Sequence, residues 1–117
     1  MYKLKKRMEI AGSHQLSLDY DSPCQKVHGH NWIVDIYCKT KVLDSNGMII
    51  DFKKIKTLVH DYLDHQHLND ILDFNPTAEN IAEWICNRVP TCYKVDVQES
   101  IGNTVTYERD NKCLCSE

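Results

Sequence analysis

Trp32-Ile33-Val34-Asp35-Ile36-Tyr37-Cys38-Lys39 decides the architecture: Trp32, Val34, Ile36 and Cys38 fall on one side, with Asp35 and Lys39 on the other. A period of two belongs to an extended strand with one buried face. Upstream the same period returns. Tyr2, Leu4, Met8 and Ile10 hold even positions, and Lys3, Lys5, Arg7 and Glu9 odd ones; Lys6 breaks the pattern. Two strands joined across a polar segment containing Pro23 therefore open the chain.

Downstream the period changes. After a turn at Asp44-Ser45-Asn46-Gly47, Asp51 can cap a helix whose apolar residues Phe52, Ile55, Leu58, Val59, Tyr62 and Leu63 are spaced mostly by three or four. Asp64-His65-Gln66-His67 is expected to end that helix. Asn75-Pro76-Thr77 breaks the pattern, and a second helix with Ala78, Ile81, Ala82, Ile85 and Val89 runs to Pro90, with Thr77 as its N-cap. Tyr93, Val95, Val97 and then Val105, Tyr107 alternate again around Ser100-Ile101-Gly102-Asn103, a hairpin signal. The order β-β-α-α-β-β predicts an α+β fold, an antiparallel sheet with two helices on one face. It forms a single domain over 1–110, followed by a C-terminal tail at 111–117.

The length of 117 residues suits one domain, and 42% apolar with 26% charged residues is the composition of a packed globule. Fourteen Lys and Arg against 17 Asp and Glu leave a net charge of −3, which offers phosphate backbones no general attraction, so no nucleic acid partner is expected. The cluster Lys3, Lys5, Lys6, Arg7 is most simply a solvated strand face. No apolar run reaches the roughly 18 residues of a membrane span, and Met1 to Arg7 has no signal-peptide core; a cytoplasmic location is expected.

Cys24-Gln25-Lys26-Val27-His28-Gly29-His30 is the densest chemistry in the chain. If the second strand begins near His28, then His28 and His30 project to one face, in phase with Trp32. His14 continues the even face of the first strand, so antiparallel pairing can bring a third imidazole alongside. Three histidines with an open fourth position form the ligand set of a catalytic zinc site. A single His-x-His could equally be two polar residues near a strand end; the phased His14 favours the metal. Asp64 beside His65 can orient and polarise an imidazole, or serve only solubility at a helix end. His60 and His67 read as structural or solvent-facing.

The six cysteines read as thiols rather than a disulfide framework, since no export signal accompanies them. Cys38 and Cys86 fall on apolar faces and are expected in the core. Cys113 and Cys115 lie in the polar tail without partners for a metal site. Cys24 alone has chemically suggestive neighbours.

Taken together, His14, Cys24-x-x-x-His28-Gly29-His30, Leu63-Asp64-His65 with Leu68-Asn69, Pro76-Thr77-Ala78-Glu79-Asn80 and Val97-Gln98-Glu99 resemble the 6-pyruvoyl-tetrahydropterin synthase superfamily, in particular its bacterial 6-carboxy-5,6,7,8-tetrahydropterin synthase branch. The resemblance runs from about Tyr2 to Glu108. It implies the tunnelling fold and zinc ligands at His14, His28 and His30. It also implies a catalytic thiol at Cys24, an Asp-His pair at Asp64 and His65, and a pterin-anchoring carboxylate at Glu99. One carboxylate can accept the paired donors of a pterin edge; without the resemblance Glu99 would be an exposed strand-end residue. Thr77 is a further pterin contact, with an N-cap role equally good. The short spacing from Cys24 to His28 resembles the carboxy-forming branch rather than the pyruvoyl-forming one, and Cys rather than Glu at position 24 sets the chain apart from a folate-linked branch.

The implied reaction converts 7,8-dihydroneopterin triphosphate to 6-carboxy-5,6,7,8-tetrahydropterin in queuosine biosynthesis, releasing acetaldehyde and triphosphate. The implied assembly is a homohexamer of two stacked trimers, which would also cover the unpaired sheet edges. The rivals are a 6-pyruvoyl-tetrahydropterin synthase and a non-catalytic zinc or pterin-binding module.

Overall fold

The alternation of the opening strand persists past Ile10, and β1 spans Tyr2–His14 in the computed structural model, which describes residues 1–110. Cys113, Cys115 and the expected tail at 111–117 lie outside the described residues. β1 pairs antiparallel with β2, His28–Thr40, in an unbroken register from Tyr2 opposite Thr40 to His14 opposite His28. β4, Cys92–Ser100, lies against the other edge of β2, and β5, Asn103–Glu108, closes a hairpin on β4. Gly102 sits in that turn at φ 85°, a left-handed backbone that glycine adopts without a Cβ clash.

The expected four-strand order is present, with one addition. β3, Gln66–His67, pairs in parallel with Gly12 and Ser13, giving the order β3-β1-β2-β4-β5. The sheet is therefore antiparallel except at this short edge. The first helix also differs from expectation. α1, Phe52–Ile55, capped by the Asp51 carboxylate on the Lys53 amide at 2.8 Å, widens into a π-helical turn over Lys56–His60. It ends as α2, Asp61–Leu63. Asp64 is already extended at ψ 137°, and His65 takes φ 59°. The segment 64–67 thus leaves the helix to join the sheet instead of ending the helix.

α3, Leu68–Ile71, is a single turn, and α4, Ala78–Arg88, follows the break at Pro76. Thr77 caps α4 by accepting the Asn80 amide at 3.1 Å. The apolar faces of these helices and of the sheet merge into one core that includes Trp32, Val34, Ile36, Ile55, Leu63, Ile81, Ile85, Val95 and Val97. Burying a side chain such as Ile36, fully hidden, contributes about 1.5–3 kcal/mol. Among the described residues no helix is long and apolar enough to cross a membrane.

The opposite face of the sheet is polar. Arg7 grips Asp35 with two hydrogen bonds of 2.8 and 3.0 Å, and the Asp96 carboxylate accepts Tyr37 and Thr106 at 3.0 and 2.6 Å. The Arg7 bonds hold the Asp35 carboxyl below the usual carboxylate range although the residue is nearly buried.

Candidate metal and catalytic site

Strand phase builds the site. His14 and His28 are Cα partners, and His30 stands opposite Gly12, so the three imidazoles gather where β1 and β2 meet on the core face. Their ring centroids lie 4.5, 4.9 and 5.1 Å apart, and one ligand nitrogen from each falls within 4.8 Å of the others. Trp32 floors the cluster, its ring 4.9 Å from His14 and 5.1 Å from His30. Its indole N–H donates to the Gly12 carbonyl at 3.1 Å.

The tautomers follow from the partners. His14 Nδ1 lies 2.8 Å from the Pro76 carbonyl, and His28 Nδ1 lies 2.7 Å from the Lys26 carbonyl. A carbonyl only accepts, so both Nδ1 atoms carry the hydrogen and both Nε2 lone pairs are left for a ligand. The Nε2 atoms of His14 and His30 are buried with no hydrogen-bond partner. Such atoms cost about 1–3 kcal/mol each, a penalty that a bound cation removes. Burial also lowers the pKa of His14 and His30, keeping them in the neutral form a metal requires. Nitrogen donors of this kind fit zinc, and three of them leave a coordination position open.

Glu99 closes one side of the cluster. It continues the inward phase of Val95 and Val97 on β4, at the bulge between Gln98 and Ser100. Its carboxylate oxygens stand 3.5 Å from His30 Nε2 and 4.0 Å from His14 Nε2. The sequence pattern did not reveal this closeness to the histidines.

Asp64 and His65 are held by one residue of β1. Ala11 donates its amide to Asp64 Oδ1 at 2.9 Å and accepts the His65 amide at 2.7 Å. Asp64 Oδ2 meets His65 Nδ1 at 2.7 Å, so the imidazole is oriented with Nε2 outward. The Ala11 amide first, and His65 second, hold the Asp64 carboxyl low and ionised. The His65 ring is 82% exposed, yet its left-handed backbone is a strained conformation of the kind that clusters at functional positions. His65 and His30 line one cavity of about 480 Å3 with Ser13, Gly29, Gln66 and His67.

Cys24 sits on a 3-10 turn, Pro23–Gln25, capped by Ser22. Its carbonyl accepts the Leu16 amide at 2.8 Å, and asparagines clamp the chain on the approach. Asn69 makes two bonds to the Gln15 main chain at 2.8 Å, and Asn75 two to Ser17 at 2.9 and 3.0 Å. The half-buried Cys24 is outside the three-histidine group within the single chain.

Two histidines set aside by the sequence belong near the site. His67 pairs with Ser13 at 2.9 Å in the shared cavity, and His60 Nε2 lies 3.7 Å from Asp64. The signal for both was missing because β3 has only two residues of pairing and the π-helical turn that places His60 reads as ordinary helix. Pro76, read from the sequence as a helix breaker and as part of the motif Pro76-Thr77-Ala78-Glu79-Asn80, also orients His14 through its carbonyl. Thr77 has its N-cap role, one residue from that carbonyl.

Sheet, helices and cluster together define a tunnelling-fold chain with a three-histidine centre of metal-binding type. Residues 3–110 match the family described as 6-pyruvoyl tetrahydropterin synthase, and the chain belongs to that family. It is 34% identical to the 6-carboxy-5,6,7,8-tetrahydropterin synthase of Bacillus subtilis over 123 residues, covering 91% of this chain and 84% of that protein. Identity to the Synechocystis protein of the same name is 31%, over 92% of this chain and 93% of that one. The fold matches the structure of Caenorhabditis elegans 6-pyruvoyl tetrahydropterin synthase with a TM-score of 0.74 at 24% identity, over 93% of this chain and 96% of that one.

Proposed function

We propose that the chain is a zinc-dependent 6-carboxy-5,6,7,8-tetrahydropterin synthase acting in queuosine biosynthesis. It would convert 7,8-dihydroneopterin triphosphate to 6-carboxy-5,6,7,8-tetrahydropterin, releasing acetaldehyde and triphosphate. The observation that carries the reading is the convergence of His14, His28 and His30 with unpartnered inward Nε2 atoms at His14 and His30. The names of the curated relatives support the branch.

His14, His28 and His30 hold the zinc. When bound, it would act as a Lewis acid on the side-chain oxygens and make the adjoining C–H acidic. Cys24 is one proton-transfer group. His65 Nε2 is the other, its ring kept in position by the contact of Nδ1 with Asp64. Glu99 accepts the amino and ring N–H donors of the pterin, and its nearness to His30 sets the ring beside the reacting side chain. Thr77 accepts the Asn80 amide through its oxygen and still has a proton to donate to the ring.

Assembly completes the site in this reading. Among the described residues nothing pairs with the outer edge of β5, and β3 covers only Gly12 and Ser13 of β1. Tyr2, Met48 and Phe52 also expose apolar surface near the start of β1. A homohexamer of two stacked trimers covers these edges and can bring Asp64, His65 or Glu99 of one chain to Cys24 of another. The enzyme works in the cytoplasm. The test is product analysis with zinc-loaded protein: acetaldehyde and the 6-carboxy product support the proposal. A pterin retaining all side-chain carbons identifies the pyruvoyl-forming reaction instead, and no turnover leaves a binding module.

A further inference from the structure

Two asparagines, Asn69 of α3 and Asn75 of the loop before α4, hold the stretch of chain that leads from His14 to Cys24. None of residues 15–27 is buried, so apolar packing does little to fix that stretch. Hydrogen bonds fix it instead. Each asparagine accepts a main-chain amide with its side-chain oxygen and donates its NH2 to the carbonyl of the same residue. Asn69 does so at Gln15, both bonds 2.8 Å, and Asn75 at Ser17, at 2.9 and 3.0 Å. A side-chain amide used in this way stands where a neighbouring strand would present its own peptide group.

The spacing of the two contacts decides what they hold. Gln15 and Ser17 are two residues apart, and the residue between them sends its amide elsewhere, as alternation along an extended chain requires. That residue is Leu16, and its amide donates to the Cys24 carbonyl at 2.8 Å. The Cys24 turn therefore leans on the clamped segment. The clamps are themselves anchored. Asn69 follows Leu68, which is buried in the core, and the Asn75 carbonyl accepts the Thr77 amide at 2.8 Å and Asn80 Nδ2 at 3.0 Å. Pro76, next to Asn75, holds His14 through its own carbonyl. One loop thus orients a histidine of the cluster and grips the chain that supports the thiol.

We propose that Asn69 and Asn75 are positioning residues for the Cys24 thiol. They fix Gln15 and Ser17, the Leu16 amide between them fixes the Cys24 turn, and the thiol is kept at one setting relative to His14. The inference rests on the reading of Cys24 as a proton-transfer group. Such a group works only within hydrogen-bond reach of its proton, so a turn free to wander lowers the rate of the chemical step and leaves substrate affinity alone.

Asn69→Ala, Asn75→Ala and the double variant, made in the full-length protein and loaded with zinc, test this. Two quantities are read: hydrogen exchange at the Leu16 amide by NMR, with the Val34 amide of β2 as internal reference, and kcat and KM for 7,8-dihydroneopterin triphosphate. The double variant should exchange Leu16 at least about tenfold faster with Val34 unchanged, and lose at least about tenfold in kcat with KM within about twofold and zinc content as in the wild type. Wild-type exchange at Leu16 overturns the clamp, and so does Val34 exchange that rises in step with Leu16, the mark of general loosening. A wild-type kcat despite faster Leu16 exchange overturns the link to Cys24. Zinc lost in proportion to kcat overturns it too, since the asparagines would then act through His14. Should the double variant not fold, Asn69→Asp, which keeps the size and the acceptor and loses only the donor, is read in the same way. A wild type without turnover overturns the proposed reaction, and Leu16 exchange still decides the clamp.

Discussion

Glu99 Oε1 stands 3.5 Å from Nε2 of His30, so the acceptor proposed for a pterin edge and a proposed ligand for zinc lie side by side. Val34 and Val97 are Cα partners between β2 and β4, and two further steps along β4 bring Glu99 level with Trp32, next to His30. The three histidines form their group without the carboxylate. Glu99→Gln should therefore weaken binding of a non-reacting pterin by at least about tenfold, through loss of a charge-assisted pair, with zinc content unchanged. Titration at equal zinc occupancy checks this, and equal affinities would leave Glu99 without a role in the pterin pocket.

His28→Ala removes one of three nitrogens and leaves two, too few to close the site. Zinc per chain after dialysis against a weak chelator should fall well below that of the wild type, measured by elemental analysis. Full retention would remove His28 from the ligand set.

Cys24→Ala should keep zinc and assembly but lose about 10²–10⁴-fold in turnover, the usual contribution of a proton-transfer group. Its turn is fixed by Ser22 and the Leu16 amide, neither of which involves the thiol. Wild-type rates in folded Cys24→Ala would take the thiol out of the mechanism.

The zinc-type cluster was legible because it depends on strand phase alone: His14, His28 and His30 share the parity of Ile10 and Trp32, and antiparallel pairing does the rest. The caps Asp51 and Thr77 were legible for the same local reason. β3 was not. It depends on a left-handed turn at His65, where the usual glycine signal is missing, and on only two residues of parallel pairing. The π-helical turn over Lys56–His60 also escaped, since apolar spacings of three and four read as ordinary helix. The closeness of Glu99 to His30 needed the register between β2 and β4 and the bulge beyond Gln98, which alternation does not specify.

Asp35 gives the sheet an acid-sensitive contact. Its folded pKa is depressed by Arg7, so the contact contributes fully above the unfolded value of about 3.9 and is lost as pH falls through the folded value. Asp35→Asn should lower the urea midpoint at pH 7, and its deficit relative to the wild type should shrink by pH 3. A deficit that stays constant across that window would show that the Arg7 pair is not its source.

Ile85→Ala on the buried face of α4 tests the core directly, with an expected loss of about 2–5 kcal/mol in unfolding free energy. A change under about 1 kcal/mol would mean that α4 is not packed on the sheet as described.

The most direct measurement is turnover of 7,8-dihydroneopterin triphosphate by protein stripped of metal and titrated with zinc. Activity should be absent in the stripped protein and rise in proportion to zinc, reaching its plateau at about one ion per chain. His28→Ala should not be restored at that stoichiometry. Full activity in the stripped wild type, or a plateau unchanged by His28→Ala, would contradict a reaction centred on His14, His28 and His30.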